Sequence, residues 1–291
     1  MRDALMLVAT AYRTLFLIAA APVIGSILLL AIARVTGAAW HGIGGPARHA
    51  PILTFGAGLL GLAQLATPAP DHLVAWMSPW AVALRGGLGG VLLTLAARRL
   101  RGGASVTFAA IVLAGYAVSV TVLAGDWMLG HVPGHPVSAV GMMLSVAAVG
   151  GAAATTLVSG SGDVRTRGDM ALLAVAAALG LGYLAFMDFL IVWFGNLPAR
   201  VPFYIDRGTP AASVLALAAV VVGIAAPIAL LTLMRHLTGQ RLAGAAVLVG
   251  LALFDVWWIG GGPAALIGAA AGLIVVAAGP LRQARREGAH G

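Results

Sequence analysis

The sequence is a succession of apolar segments, each approaching the length of a membrane-spanning helix, joined by short polar connections. A helix needs about 20 apolar residues to cross the hydrocarbon core of a bilayer. Nine segments approach that length, at residues 14–33, 52–66, 80–97, 106–124, 138–158, 170–194, 212–233, 242–259 and 264–278. The second and the ninth are short, so the number of spans could be eight.

The composition supports the same class of protein. Of the 291 residues, 61% are apolar and 9% are charged, which is too little charge for a soluble domain of this size. The chain has no cysteine, which excludes disulfides, thiol catalysis and iron–sulfur clusters bound by thiolates. We therefore predict an all-α integral membrane protein. Residues 1–279 would form a single polytopic transmembrane domain, and residues 280–291 a cytoplasmic tail.

The arginines are divided unevenly between the two ends of the predicted helices. We call the side that holds the amino terminus the amino-terminal face and the other side the arginine-rich face. Of the 17 basic residues, all of them arginine, five fall on the amino-terminal face: Arg2, Arg13, Arg85, Arg200 and Arg207. Because cytoplasmic loops carry an excess of basic residues, we expect the arginine-rich face to be cytoplasmic, with the amino terminus outside the cytoplasm and the carboxyl terminus inside it. The arginines read as topology signals and not as a nucleic-acid patch.

A four-segment repeat is indicated at residues 14–124 and 138–259. The fourth segment of each half ends with an aspartate beside tryptophan, in "LAGDWMLG" and "LFDVWWIG", and an Arg-Gly pair stands near each third segment. These features predict two similarly oriented four-helix bundles plus one carboxyl-terminal helix. The alternative is that all the rims look alike, since Trp, Asp and Pro are common there. Gly86 and Gly90, four residues apart, are interpreted as a helix-packing surface.

Asp188 is the most informative polar residue, because it lies inside an apolar segment. A carboxylate facing lipid there would cost about 2.5–3.5 kcal/mol, so it must face protein or water, or have a partner such as Arg85 or Arg207. It is either a structural group that pairs two bundles or a functional one, which handles protons or accepts a hydrogen bond from a ligand hydroxyl. Asp126 and Asp255 lie nearer the interface, where a structural role is favoured and a proton path stays open.

The histidines do not predict a cofactor or metal site in this chain. All seven fall in loops or at helix ends, whereas a membrane haem needs histidines that face each other inside helices. His131 and His135 have a spacing that suits a metal only on a helix, and Pro133 breaks any helix between them.

The segment after the sixth span ends in "GNLPARVPFYIDR". Asn196 can cap the helix and Pro198 cannot continue it, which accounts for the turn. The aromatic-rich loop that follows would suit the membrane interface or a partner protein.

The stretch "FMDFLIVWFGNLPARVPFYIDR" resembles the hallmark of the ActF family, an integral membrane subunit of bacterial alternative complex III that is related to the NrfD and PsrC subunits. The matching residues are Phe186, Trp193, Asn196, Leu197, Pro198, Tyr204 and Arg207. Further similar stretches follow in the family's order: "TGAAW", "DWMLGHVPG", Pro227 and "FDVWWIGGGP". Asp188 replaces a glutamine of the family, and Ala199-Arg200 replaces a Glu-Glu pair. One amino-terminal helix of the family is not found.

The resemblance implies a cofactor-free, multi-pass subunit of a quinol-oxidising respiratory complex in a bacterial inner membrane, so the amino terminus would be periplasmic and the carboxyl terminus cytoplasmic. Its partners would be NrfD-like membrane subunits and subunits that carry iron–sulfur clusters and several c-type haems. A quinol could bind at a subunit interface. Asp188, Asp126, Asp255 and Arg85 would then line a polar path, while Trp193, Asn196, Pro198, Tyr204 and Arg207 would form a structural or partner-contact loop. Two alternatives stay open, a chain that binds quinol itself and a transporter of protons or small solutes.

Overall fold

A computed structural model describes residues 2–66, 71–128, 139–198, 200–234 and 236–288, apart from the side chains of residues 2, 72 and 279–288. Within these ranges all the regular secondary structure is helical, and no strand occurs. The helices are α1 (Arg2–Thr36), α2 (Ala50–Ala63), α3 (Pro79–Arg101), α4 (Val106–Trp127), α5 (Val140–Ser159), α6 (Val164–Phe194), α7 (Val201–Asp206), α8 (Pro210–Val220), α9 (Ala226–Leu233), α10 (Leu237–Ile259) and α11 (Pro263–Gly288).

The described helices confirm an all-α membrane protein of about nine spans. Eight helical stretches are long and apolar enough to cross a membrane, with α8 and α9 counted as one, and the apolar part of α11 is shorter. The ends of the helices differ from the predicted segments. The first helix has 35 residues and the sixth has 31, because each continues through polar residues at which the apolar run stops. At about 1.5 Å per residue these two helices exceed the thickness of the hydrocarbon core.

The helix α1 lies at the centre of the packing, where it contacts α5 and α11 extensively and α2, α3 and α4 less. On one side of α1, α2 packs closely on α3, and α10 contacts α5, α6, α8 and α9. The contact between α1 and α5 is close. Gly25 lies so close to the Ala148 carbonyl that a methyl group has no room there. Small residues of this kind let helices approach in lipid, where no hydrophobic force drives them together.

The last helix packs on α1 and runs parallel to it. Gly268 lies against the backbone of Ala11, and Gly272 lies against Ile18, so both helices advance in the same direction. The carboxyl end of α11 therefore lies at the arginine-rich face. The helix passes through Pro280 to Gly288, well beyond the predicted span.

The seventh span contains a π turn. Residues Val221–Ala225 form the π turn between α8 and α9, and Pro227 follows in the first turn of α9. Proline has no N–H to donate and its ring crowds the preceding turn, so a wider turn before Pro227 relieves both problems. At the same place Gly223 approaches Gly250 of α10 backbone to backbone.

Burial differs strongly between spans. In the most apolar window of α1 and of α5, 72% of the residues are buried, whereas the figure is 11% for the α8–α9 span. The helices α1 and α5 therefore lie at the centre of the molecule, and the α8–α9 span lies at its periphery.

Candidate functional site

Asp188 of α6 lies at the amino-terminal face and forms a hydrogen bond with Tyr204 of α7. The side chain of Asp188 is buried, and the Tyr204 hydroxyl donates to its Oδ2 atom at 2.6 Å. Burial is the main cause that raises the pKa of Tyr204, and the bond to Asp188 adds to it, so the hydroxyl keeps its proton and remains a donor. The carboxylate is therefore sheltered from lipid. Arg85, one of the partners proposed for it from the sequence, is bonded elsewhere.

The turn between α6 and α7 is built on Asn196. Asn196 has a φ of 43°, the left-handed conformation that glycine and asparagine adopt most readily at the position after a helix. The Leu197 amide then donates back to the Val192 carbonyl at 3.4 Å, which closes a Schellman motif. Pro198 follows directly, where a proline prevents the helix from continuing. The Asn-Leu-Pro sequence thus turns the chain back over the end of α6 and brings Tyr204 to Asp188.

Aromatic side chains around this turn divide into a packed and an exposed set. Phe189 lies 5.8 Å from the Trp193 ring and 5.3 Å from the Tyr204 ring, between centroids. Trp193 and Phe194 project from the end of α6, with 70% and 80% of their surface exposed. Phe189 and Tyr204 hold α7 against α6. Trp193 contacts Phe189 with one side of its ring, and the rest of its surface and Phe194 can contact lipid headgroups or another protein.

Arg207 lies just after α7 and joins it to the end of α10. Its guanidinium is buried, stacks on the Phe203 ring at 3.6 Å, and donates to the carbonyls of Phe203, Trp257 and Trp258. The last carbonyls of a helix have no partner within the helix and carry the negative end of its dipole, so a cation satisfies them well. Burial lowers the pKa of Arg207 to about 10, which still leaves it charged at neutral pH.

Arg85 and Asp126 form a bidentate ion pair between α3 and α4. The Nε and Nη2 atoms of Arg85 donate to the two carboxylate oxygens at 2.8 and 2.7 Å. Arg85 also donates to the Trp76 carbonyl at 2.7 Å and lies 4.2 Å above the Trp76 ring. With 1% of its side chain exposed, Asp126 is closed off from solvent by this arrangement. The geometry is that of a fixed clamp, and a proton path through Asp126 stays a prediction.

Asp255 is placed differently from the other two aspartates. It lies on α10 near the amino-terminal face and is partly exposed. Among the residues that the structure describes, none forms a hydrogen bond or an ion pair with it. Arg207 bonds instead to the carbonyls of Trp257 and Trp258, two and three residues after Asp255. The structure thus brings Asp126 to Arg85 and Asp188 to Tyr204, but leaves Asp255 outside both pairs.

Arg13 is a polar residue whose position was missed by the sequence analysis. It was counted as a topology signal, yet it is buried inside α1 and donates to the Ala63 carbonyl at 2.7 Å and to Gln64 Oε1 at 3.3 Å. It holds the end of α2 against α1, as Arg207 holds the end of α10. The sequence feature that could have indicated this contact is Gln64, a second polar residue in a neighbouring apolar segment.

No metal or cofactor site can be assigned from side-chain positions. Across the described ranges, no three His, Asp or Glu side chains come together as metal ligands do. His131 and His135 lie outside those ranges. The absence of a cofactor therefore stays a prediction.

Comparison with known proteins leaves the family resemblance without independent support. No family model matches this chain, and a search of curated proteins finds no match.

Proposed function

We propose that this chain is a cofactor-free membrane subunit of a quinol-oxidising respiratory complex of the alternative complex III type. It would assemble with NrfD-like membrane subunits and with subunits that carry iron–sulfur clusters and c-type haems. The chain would act as a scaffold in the inner membrane, and its aspartates could form part of a proton path. A quinol could bind where it meets a neighbouring subunit.

The observation that supports the proposal is the folding of the resembling stretch into one unit. Asn196 makes the turn, Tyr204 bonds to Asp188, and Arg207 ties the segment to α10. Asn196, Tyr204 and Arg207 are among the residues that carry the resemblance, and Asp188 stands where the family has a glutamine. Their contacts explain why a family would keep those residue types together.

The surface of this unit suits a protein partner. Trp193 and Phe194 project from the turn, and large exposed aromatic side chains often become the anchors of interfaces. Asp255 is an aspartate in a membrane-spanning helix with no bonded partner in the described part of the chain. Because such a group is costly unless it is paired, a cation or a hydrogen-bond donor from another subunit would stabilise it.

Purification of the tagged chain from its native membranes in a mild detergent tests the proposal. We expect c-type haem and iron–sulfur subunits to copurify, and we expect the haems in the preparation to be reduced by a quinol. Haem staining, iron analysis and absorption spectra measure this. A colourless chain that purifies without redox subunits from membranes that contain them would contradict the proposal.

A pair of tryptophan variants locates the contact. Trp193→Ala should reduce haem copurification severalfold, because it removes an exposed anchor beside the turn. Trp80→Ala is the matched control: it is 84% exposed and also lies at the amino-terminal face, but outside the resembling stretch. Equal retention of haem by the two variants would contradict a contact at the turn.

The two alternatives predict that the chain acts without redox partners. A photoreactive quinone analogue that labels α6 or the α8–α9 span in the isolated chain would identify a quinol-binding protein. Uptake of a solute or of protons by the isolated chain in liposomes would identify a transporter.

A further inference from the structure

A basic pocket lies at the arginine-rich face, beyond the end of α1. Its volume is about 620 Å³, and its lining includes Arg34, Arg48 and Arg101. Arg34 comes from the last turn of α1, Arg48 from the turn before α2, and Arg101 from the end of α3. Three different segments, the ends of α1 and α3 and the turn before α2, thus contribute one arginine each to the lining of the same pocket.

The positive charge of this pocket is not neutralised by the described residues. The three arginine side chains are exposed, and no carboxylate of the described part forms an ion pair with any of them. The two acidic residues near by contact other side chains and not these arginines. Asp169 accepts a hydrogen bond from Trp40 at 2.9 Å, and Asp163 lies 3.7 Å from His41. The pocket therefore attracts anions.

An apolar groove adjoins the pocket on the side of α2. Its volume is about 840 Å³, and it is lined by α1, α2, the end of α5 and the residues Val275 and Val276 of α11. Along α2 and the turn before it, the lining extends from Pro46 to Leu59. This is about 20 Å at a rise of about 1.5–2 Å per residue, compared with about 15 Å for half of the hydrocarbon core.

The two cavities are adjacent. Arg48, Gly42, Gly45 and Ser161 line both of them. A molecule with an anionic head and an apolar tail can therefore place the head among the arginines and the tail in the groove. The groove wall at the junction is polar as well, since Thr155, Thr156 and Ser159 line it.

We propose that the basic pocket and the apolar groove together bind one anionic phospholipid from the leaflet at the arginine-rich face. The phosphate lies among Arg34, Arg48 and Arg101, because guanidinium groups pair with phosphate oxygens bidentately. One acyl chain lies in the groove between α1 and α2. Basic pockets between spanning helices recognise anionic headgroups in this way. The site requires no redox partner and so is independent of the proposed function.

Lipid binding by the unaltered chain is the first test. Protein purified in mild detergent is stripped of lipid and titrated with phosphatidylglycerol or with phosphatidylcholine, and bound lipid is counted by native mass spectrometry. We expect one phosphatidylglycerol to bind at least tenfold more tightly than phosphatidylcholine. Equal binding of the two lipids, or binding of a neutral quinone at this site in place of phosphatidylglycerol, would overturn the proposal.

Inorganic phosphate distinguishes a lipid site from a simple anion site. The groove should make phosphatidylglycerol bind much more tightly than phosphate alone. Chloride at the same ionic strength is the control. If millimolar phosphate displaces the lipid and chloride does not, the site recognises a free anion and the proposal fails.

Charge variants with a matched control test the headgroup position. The double variant Arg34→Gln, Arg101→Gln should weaken phosphatidylglycerol binding by about tenfold or more, since each arginine near an anionic surface contributes appreciably. Arg98→Gln, Arg99→Gln removes the same charge from the same end of α3, from exposed positions that do not line the pocket. Equal losses in the two double variants would show a general charge effect and overturn the site.

A groove variant tests the position of the acyl chain. Ala19 lines the groove, so Ala19→Phe should reduce phosphatidylglycerol retention while all three arginines remain. Ala110→Phe adds the same bulk at an exposed position of α4 and should have no effect. Full retention by Ala19→Phe would place the lipid elsewhere.

Discussion

At the scale of single residues, arginines at the amino-terminal face act mainly as links between helices. Arg13 and Arg207 are buried and donate to carbonyls at the ends of α2 and α10. Arg85 instead meets a carboxylate on α4, the helix in the first half that corresponds to α10 in the proposed repeat. In each case a guanidinium satisfies a negative group near the end of a neighbouring helix, for which water is scarce.

The Arg85–Asp126 pair leads to a prediction about single and double variants. Removing Arg85 leaves the buried Asp126 carboxylate unpaired, which costs about 3–5 kcal/mol in buried pairs, and removing Asp126 costs less because Arg85 is partly exposed and keeps its bond to Trp76. We therefore expect Arg85→Met and Asp126→Leu each to lower the thermal midpoint of unfolding of the detergent-solubilised protein by several degrees. The double variant, Arg85→Met with Asp126→Leu, should recover much of the loss, because it removes both charges.

The control for this cycle is Arg98→Met, which removes an exposed arginine that has no ion pair in the described part of the chain. It should change the midpoint little. Additive losses in the double variant would show that the two residues do not stabilise each other.

At the scale of elements, the contact between α2 and α3 is made by glycines. A Cβ atom on Gly90 would lie 2.4 Å from Thr54 Cα, and one on Gly86 would lie 2.6 Å from the Ala57 carbonyl oxygen. Thr54 and Thr94 share a hydrogen bond of 3.0 Å across the same contact. The interpretation of Gly86 and Gly90 as a packing surface is thus confirmed.

Alanine variants of neighbouring glycines on α3 should therefore behave in opposite ways. Gly90→Ala forces α2 and α3 apart and should destabilise the protein by about 1–3 kcal/mol, the usual cost of overpacking. Gly87 has nothing within 4 Å of its added Cβ, so Gly87→Ala should be neutral or gain up to about 1 kcal/mol of helix propensity. Unfolding in detergent measures both. A loss of similar size in the two variants would contradict the assignment.

The hydropathy pattern predicted the spans but not the ends of the helices. It located the spans because burial in lipid requires apolar runs, but it placed the start of the first span after Arg13. Arg13 is satisfied within the protein, so the helix passes through it. The π turn accommodates Pro227 and brings Gly223 against Gly250 of α10, and the hydropathy pattern records neither.

The candidate site was predictable in part, because polar groups and turns interrupt the apolar pattern. The cost of a carboxylate in lipid indicated that Asp188 needs shelter, and the asparagine–proline pair indicated a turn after α6. The pairing could not be predicted, since Tyr204 reaches Asp188 only because Asn196 reverses the chain. Likewise, nothing in the sequence shows that Arg34, Arg48 and Arg101 meet in one pocket, because they come from three different segments.

At the scale of the whole molecule, the two faces differ more than the arginine count alone suggests. Of the five arginines assigned to the amino-terminal face, Arg13 and Arg207 are buried and Arg85 is paired with Asp126. The guanidinium groups of these three arginines bond to carbonyl or carboxylate groups of the protein. By contrast, Arg34, Arg48, Arg98, Arg99 and Arg101 are exposed at the opposite face. The difference in charge available to solvent strengthens the expectation that the arginine-rich face is cytoplasmic.

Cysteine labelling tests that orientation directly, because the chain contains no cysteine of its own. Ala75 and Ala39 are both exposed, the first before α3 at the amino-terminal face and the second after α1 at the arginine-rich face. In intact cells with a permeable outer membrane, a membrane-impermeant maleimide should label Ala75→Cys. It should label Ala39→Cys only after the inner membrane is disrupted, and the parent chain should stay unlabelled throughout. The reverse pattern would place the amino terminus in the cytoplasm. The lipid site would then lie in the periplasmic leaflet, and the turn at Asn196 would face the cytoplasm, where periplasmic c-type haem subunits could not reach it.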